Sequence, residues 1–207
     1  MKTDLRKKFI DSATQLFAKE GFEKVTIRKI ANRAGGNTAM ISYYFGNKAG
    51  LYLEVLRSLF CEYDNKLKSI IKQRKRPINE LKDYFIVVHD LYNECPFFTA
   101  IIAHEGSNPS EEFKKALLEH EKHFEGDYLF NLLKKGMVSG DIRQDIDPEY
   151  MARILSLLAN YFQIPLKLLS VMCPECDSNT DIYFSQVSKM IFSGLAGKDF
   201  ANQKEKE

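Results

Sequence analysis

The most informative stretch of the sequence is TIRKIANRAGGNTAMISYYF, residues 26–45. Its pattern predicts two short helices, one over residues 27–33 and one from about residue 38 to residue 44. A sharp turn between them needs a residue that tolerates positive φ, which Gly35 supplies. Two helices that cross steeply also need a small side chain where their axes approach, and Ala31 stands at that place. The stretch therefore predicts a helix-turn-helix, with an ordinary helical corner as the alternative.

The second of these helices has an outer face that suits the major groove of duplex DNA. A helix fixed by inward-facing isoleucines is free to enter a groove about 12 Å wide. Hydroxyl groups can meet several base edges, an alanine methyl can approach a thymine methyl, and polar groups at helix starts can contact phosphates. The candidate base contacts are Thr38, Ala39, Ser42 and Tyr43, and the candidate phosphate contacts are Thr26, Arg28, Tyr44 and Lys48.

The net charge of +2 conceals an uneven distribution along the chain. Residues 1–76 contain 17 lysines and arginines against 7 acidic residues, whereas residues 77–207 contain 13 against 21. A basic first third followed by an acidic remainder indicates that only the first third meets a polyanion. The run KQRKR, residues 72–76, adds to the basic excess, and we interpret it as a solvated linker between helices.

Helical periodicity continues on both sides of residues 26–45. Thr26, Asn37 and Asn47 precede predicted helices and are suited to cap them, because a side-chain oxygen can accept a hydrogen bond from the first turn. The other helices are predicted over residues 4–19, 48–73, 77–94, 97–105, 109–138, 148–172 and 180–195. The helix over 109–138 is expected to begin with Pro109 in its first position, where proline is favoured.

The expected fold is all-α, because sustained alternation with period two is absent. We divide the chain into an N-terminal three-helix helix-turn-helix head, residues 1–47, and a larger C-terminal helical domain for ligand binding and dimerisation, residues 48–207.

A set of residues spread between Phe9 and Leu56 carries a resemblance to a known family. These residues are Ala13 with Leu16-Phe17, Gly21-Phe22, Thr26-Ile27, Ile30-Ala31, Ala34-Gly35, Tyr43-Tyr44-Phe45, and Lys48 with Leu51. Together they resemble the DNA-binding region of the tetracycline-repressor (TetR) family of bacterial regulators. The sequence departs from the family pattern at two places. Gly36 replaces a residue that is usually apolar and loosens the turn, and Ala49-Gly50 replaces a common acidic pair.

The resemblance implies an architecture and a way of working. It implies a three-helix head joined by a fourth helix to a larger helical domain that binds a ligand. It also implies a homodimer, a double-stranded operator with approximate two-fold symmetry, and loss of DNA binding when a small molecule enters the larger domain. The resemblance covers about a quarter of the chain, so the identity of the ligand does not carry over.

The last two long helices are the predicted dimer interface. A two-fold dimer sets two recognition helices about 34 Å apart on the duplex, so some surface must hold the subunits together. The helices over 148–172 and 180–195 are apolar around much of their circumference, which suits a helix with two packing partners. The alternative is that their apolar surface packs only within one subunit.

A ligand pocket is expected among the middle helices, where aromatic residues concentrate. Walls of this kind fit a largely apolar or aromatic ligand with one or two polar handles. Each aromatic residue taken singly has core packing as its alternative. The candidate ligand contacts are His89, Phe98, His104 and Tyr128.

Several other classes of protein are disfavoured. A CxxC motif, Cys173 to Cys176, supplies two of the four ligands that a structural zinc site needs, so neither a metal nor another cofactor is expected. A nucleophile elbow and a phosphate-binding glycine loop are both absent, which disfavours an enzyme. The chain lacks a membrane span and an apolar signal segment, so a cytoplasmic protein without membrane partners is expected.

The leading functional hypothesis is a DNA-binding transcriptional regulator, a homodimeric repressor released from its operator by a small, largely apolar or aromatic molecule. Two alternatives remain open. One is a regulator switched by oxidation of the thiols of Cys173 and Cys176, and the other is an all-helical enzyme with a corner that resembles a helix-turn-helix.

Overall fold

The computed structural model describes residues 2–71, 75–106, 108–121, 125–161, 171–172 and 180–196. These residues contain ten helices and no strand, and an isolated antiparallel bridge pairs Ile142 with Ala196. The prediction of an all-α fold is confirmed. The helices are α1 (Lys2–Glu20), α2 (Ile27–Ala34), α3 (Thr38–Phe45), α4 (Lys48–Ile70), α5 (Pro77–Glu94), α6 (Pro96–Glu105), α7 (Glu111–Glu121), α8 (Glu125–Ser139), α9 (Pro148–Tyr161) and α10 (Thr180–Leu195).

The three predicted helix caps near the N-terminus are confirmed. In each case the side-chain oxygen accepts a hydrogen bond from the backbone N–H three residues later, at 3.2 Å for Thr26, 2.9 Å for Asn37 and 2.8 Å for Asn47. These bonds satisfy N–H groups that the first turn of a helix cannot pair internally. The starts of α2, α3 and α4 therefore follow from local sequence alone.

Two compact units divide the chain, and the first contains Met1–Asn65 with Glu94–His120. Its core is formed by apolar residues of α1 to α4, of which Phe9, Ile30, Ile41 and Leu51 are completely buried. The ring of Phe17 makes an edge contact with that of Tyr52, at a centroid distance of 4.7 Å. Helices α6 and α7 belong to the same unit, so the helix-turn-helix shares its core with a later part of the chain.

The second unit contains Lys66–Asn93 with Glu121–Glu207. Helices α8 and α9 pack closely in it, and its buried side chains include Leu81, Tyr84, Leu129 and Leu155. Arg76 donates to the Asp141 carboxylate at 2.6 Å, which ties the start of α5 to the segment after α8. The domain boundary after residue 47 stays a prediction.

A contact between residues five positions apart accompanies the start of α7. The first helical residue is Glu111, and the cap is Ser110, whose Oγ accepts a hydrogen bond from the N–H of Phe113 at 3.2 Å. The expectation that Pro109 occupies the first helical position is therefore wrong. Ser110 is held by the Glu105 carboxylate, which accepts its backbone N–H at 2.6 Å and its hydroxyl at 3.0 Å.

Two long predicted helices are described only in part. The prediction over 109–138 corresponds to α7 and α8, on either side of residues 122–124, which lie outside the described part. The prediction over 148–172 corresponds to α9, and residues 162–170 also lie outside the description. None of the described helices is long and apolar enough to cross a lipid bilayer.

Candidate nucleic-acid interface

The crossing of α2 and α3 is fixed by buried apolar residues and a tight turn. Ile30, Ala31 and Ile41 are at most 1% exposed. Gly35 has a φ of 70°, in the left-handed region, and its N–H bonds to a carbonyl at the end of α2. The N–H of Gly36 donates to the Ala31 carbonyl at 3.0 Å. The predicted roles of Ala31 and Gly35 in the turn agree with this geometry.

The outer face of α3 is open to solvent. Thr38, Ala39, Ser42 and Tyr43 are all exposed, and 78% of Tyr43 is accessible. Ala39 and Tyr43 stand two positions before and after Ile41, so the helical period turns them away from the core that Ile41 enters. Thr38 and Ser42 are exposed on the flanks of this face. A protruding tyrosine beside two hydroxyl groups and a methyl group forms a short surface that can reach base edges in a major groove.

Three of the candidate phosphate contacts, Thr26, Arg28 and Tyr44, differ in their exposure and in their contacts with the rest of the protein. Thr26 and Arg28, at the start of α2, are exposed. The Thr26 oxygen already accepts the N–H of Lys29, so its hydroxyl proton stays available for a phosphate oxygen. The ring of Tyr44 is half-buried, with its centroid 6.4 Å from that of Phe9. Tyr44 therefore both packs against α1 and reaches the surface.

Lys29, the basic neighbour of Arg28, forms an ion pair with Glu20. The ammonium of Lys29 lies 2.5 Å and 2.6 Å from the two carboxylate oxygens of Glu20. This hydrogen bond holds the pKa of Glu20 below its usual value. Lys29 therefore connects α2 to the end of α1, whereas Arg28 faces solvent.

Lys48, at the start of α4, contacts Phe22, which the sequence did not predict. Its Nζ donates to the Phe22 carbonyl at 3.0 Å and lies 4.2 Å from the centroid of the Phe22 ring. An ammonium has three donors, so this arrangement leaves capacity for a phosphate. The phosphate contact of Lys48 stays a prediction, and the structure adds a contact between α4 and the segment after α1.

Sequence reasoning missed the aromatic support beneath Lys48. The Phe22 ring stacks on the Tyr52 ring at a centroid distance of 4.6 Å and an interplanar angle of 20°. The Tyr52 hydroxyl donates to the Glu105 carboxylate at 2.6 Å. Burial, together with Glu105, raises the pKa of Tyr52 well above its usual value. The spacing of Lys48 and Tyr52, one helical turn apart, was the available signal, but Glu105 lies 53 residues further on.

The four predicted ligand contacts are divided between the two units. Phe98 and His104 lie in the first unit, where Phe98 stacks on Tyr63 at a centroid distance of 4.6 Å, and His104 Nε2 lies 3.1 Å from the Ala18 carbonyl oxygen. His89 and Tyr128 lie in the second unit. The ligand role of all four residues stays a prediction, and the stacking of Phe98 on Tyr63 accounts for its aromatic character without a ligand.

Tyr128 lines a cavity of about 320 Å³ in the second unit. The cavity is bordered by the end of α4, by α5 and by α8. The hydroxyl of Tyr128 donates to the buried Glu80 carboxylate at 3.1 Å. Burial, and then the charge of Glu80, raise the pKa of Tyr128, so this hydroxyl keeps its proton at neutral pH. His89 is buried elsewhere in this unit, with its ring 4.5 Å from that of Phe184.

The thiols and possible metal ligands do not form a site within the described residues. That part of the chain holds no group of three histidine, cysteine or acidic side chains that could bind a metal ion. Cys61 is exposed and Cys95 is buried, and both are reduced. Cys173 and Cys176, the residues of the thiol-oxidation alternative, lie outside the described residues.

Comparisons with known proteins agree with this geometry. Residues 9–55 match the family model of bacterial regulatory proteins, tetR family. The chain is 26% identical over 144 residues to the HTH-type transcriptional repressor NicS of Pseudomonas putida, a match that covers 68% of this chain and 67% of NicS.

Two solved structures resemble the whole chain. A putative tetR family transcription regulator from Shewanella sp. PV-4 aligns with a TM-score of 0.71 and 17% identity, covering 94% of this chain and 99% of that one. The transcriptional regulator FadR from Bacillus subtilis, solved in complex with stearoyl-CoA, aligns with a TM-score of 0.71 and 18% identity, covering 91% of this chain and 98% of that one. At these identities the likeness shows the fold.

Proposed function

We propose that the chain is a member of the tetR family of bacterial regulatory proteins, whose family model its residues 9–55 match, and that it is a homodimeric transcriptional repressor of its operator. In this proposal α3 enters the major groove, Thr38, Ala39, Ser42 and Tyr43 contact bases, and a small molecule bound by the C-terminal region releases the DNA.

The observation that carries the proposal is the exposed outer face of α3 on a rigidly packed crossing. Tyr43 is 78% accessible although large aromatic side chains are usually buried. Burial of Ile41 and the capping bond from Asn37 to Met40 hold the helix in place beneath it. A protruding tyrosine on a rigid helix is suited to a partner that is bound from outside.

Phosphate contacts in the proposal come from residues at the starts of α2 and α4 and from one residue of α3. Thr26 and Arg28 flank the start of α2, Tyr44 follows the base contacts on α3, and Lys48 begins α4. Helix N-termini also offer N–H groups to phosphate oxygens. These contacts would set the register of the protein on the duplex while the outer face of α3 reads the bases.

The dimer in the proposal is formed by the apolar faces of α9 and α10. Leu155 and Ala159 of α9 are buried within the subunit, whereas Ile154, Leu157 and Leu158 on the other side are 41%, 53% and 42% exposed. An apolar row of this kind on a charged helical protein favours association with a second copy. On α10, Ile182 and Met190 are also exposed, at 55% and 71%.

Ligand control in the proposal is supported by the cavity beside Tyr128 and by the relatives. FadR was solved with stearoyl-CoA, an acyl thioester, and a fold of the same kind therefore accommodates a small-molecule effector. NicS is named a repressor. A ligand that binds one conformation of the regulator better than the other shifts the balance between DNA-bound and free protein.

The proposal is tested by selection of binding sites from a random duplex library with the purified full-length chain. The expected result is an enriched sequence with two related half-sites, whose centres lie about one helical turn, roughly 34 Å, apart. A single enriched half-site without a symmetric partner would contradict the dimer. Retention of DNA without enrichment of any sequence would contradict the proposed function.

A further inference from the structure

The cavity of about 320 Å³ in the second unit has an apolar wall. Ile71, just after α4, and Leu132, on α8, contribute this wall together with the ring of Tyr128. The volume is near the lower end of the range of about 300–1,000 Å³ for small-molecule sites. It therefore suits a compact ligand or one end of a longer one.

Two basic residues line the same cavity. Lys68 on α4 and Lys135 on α8 both line it and are exposed, and the amide of Asn131 lies on the same helix as Lys135. The cavity also contains one carboxylate, that of Glu80, which is buried and accepts the Tyr128 hydroxyl at 3.1 Å. The lining of the cavity thus contains two lysines and one glutamate, whose carboxylate is hydrogen-bonded.

The sequence around Lys68 is basic. Residues 66–76 contain six lysines and arginines and no acidic residue, although residues 77–207 have an acidic excess. Lys68 lines the cavity, and charges that line a cleft raise the local concentration of ions of opposite sign.

We propose that this cavity binds a small amphipathic anion, whose carboxylate or phosphate lies between Lys68 and Lys135 and whose apolar body lies against Ile71 and Leu132. Hydrogen bonds between charged groups are roughly twice as strong as those between neutral groups. An anion is therefore expected to bind more tightly here than a neutral molecule of the same shape. A cation meets two like charges. The expectation that the anion releases DNA rests on the function proposed above, whereas the binding of the anion to the cavity does not.

The test uses isothermal titration calorimetry of the purified full-length chain with three probes of the same chain length, namely octanoate, octanol and octylammonium. We expect octanoate to bind about tenfold more tightly than octanol, which corresponds to the gain from its charged hydrogen bonds. Octylammonium is expected to bind more weakly than octanol. Equal affinities for octanoate and octanol, or no binding of octanoate, would overturn the proposal.

Matched variants locate the charged group. The double variant Lys68→Gln, Lys135→Gln is expected to lose about tenfold in octanoate affinity while its octanol affinity is unchanged. The control is Lys134→Gln, since Lys134 precedes Lys135 in sequence, but its Nζ lies 4.8 Å from the Phe130 ring centroid, and it does not line the cavity. An equal loss in the control would show attraction to overall charge and would overturn the assignment.

A gel shift with the selected operator separates the two proposals. We expect octanoate to release the operator from the wild-type chain and to leave it bound to the double variant. If the operator is bound but octanoate gives no heat of binding, the anion site is refuted and the repressor function stands. If no operator is selected but octanoate binds with the expected charge preference, the repressor function is refuted and the anion site stands.

Discussion

The ring of Phe9 fills the space beside Gly36, so that a Cβ atom built on Gly36 would lie 2.5 Å from Cζ of Phe9. Gly36 is one of the places at which the chain departs from the pattern of the family that it resembles. Its N–H remains bonded to the Ala31 carbonyl at 3.0 Å. A buried aromatic ring from α1 thus takes the place of a side chain in the turn.

Gly36→Val is expected to lower the free energy of unfolding by about 1–3 kcal/mol, because the added side chain overpacks against the Phe9 ring. Phe9→Ala alone is expected to cost about 3–5 kcal/mol because Phe9 is fully buried, and the double variant should lose less than the sum of the two single losses, since the clash is removed. Denaturant unfolding of the two single variants and the double variant gives the coupling between the sites. Strictly additive effects would show that Phe9 does not determine the residue at position 36.

Tyr43→Ala is expected to weaken operator binding by about tenfold or more, as for the loss of one base contact. The melting temperature should stay within about 1 °C of wild type, since Tyr43 is exposed and surface changes seldom affect stability. Tyr43→Phe is the control that separates the ring from the hydroxyl. Operator affinity equal to that of wild type in Tyr43→Ala would remove this residue from the interface.

Lys48→Met is expected to have two effects. It should reduce the slope of log affinity against log salt by about one unit, as for one lost phosphate contact. It should also lower the free energy of unfolding by about 1 kcal/mol, because the hydrogen bond to the Phe22 carbonyl is lost. Arg28→Met is the comparison, with the same change in slope and unchanged stability because Arg28 is exposed. An unchanged slope for Lys48→Met would restrict Lys48 to its structural contact.

The buried Tyr52–Glu105 hydrogen bond predicts a pH dependence of stability. The pKa of Tyr52 is raised in the folded state above its ordinary value of 10.0, chiefly by burial. The stabilisation is therefore fully present below pH 10.0 and is lost as the pH rises further, because the unfolded chain releases this proton first. Denaturant unfolding should show a loss of about 1.4 kcal/mol per pH unit from this tyrosine above that point.

Tyr52→Phe is the control for this titration, since it keeps the ring stacked on Phe22 and removes the proton. It should be less stable at neutral pH by about 1–2 kcal/mol, because Glu105 loses a donor. Its stability should also fall less steeply in alkali than that of wild type. Parallel alkaline profiles for the two proteins would contradict the assignment of the titration to Tyr52.

Ile154→Glu combined with Leu157→Glu is expected to give a monomer, because two charges would be buried at the proposed contact between copies of α9. Sedimentation velocity measures the change, and operator affinity should fall with it. Val138→Glu on α8 is the control, since Val138 is 90% exposed and lies outside the proposed contact. A double variant that remains a dimer would exclude this face of α9 as the interface.

The helix-turn-helix could be predicted from residues 26–48 because its determinants are local. An N-cap bond joins residues three positions apart, as from Asn37 to Met40, and Gly35 adopts its positive φ within a single turn. The burial of Ile30 and Ile41 and the exposure of Tyr43 follow from helical period, which places such residues on opposite faces. For these features the amino-acid order is sufficient.

The contacts between distant segments required the folded chain. Phe9 fills the space at Gly36, Tyr52 donates to Glu105 across 53 residues, and the cavity joins residues on α4, α5 and α8. The aromatic pattern that predicts a ligand site for Phe98 and His104 also fits other contacts: Phe98 is buried in the first unit, and the exposed His104 lies against the Ala18 carbonyl. Periodicity defines which side of a helix is apolar, but which neighbour covers that side, or whether a cavity remains, depends on how the helices pack.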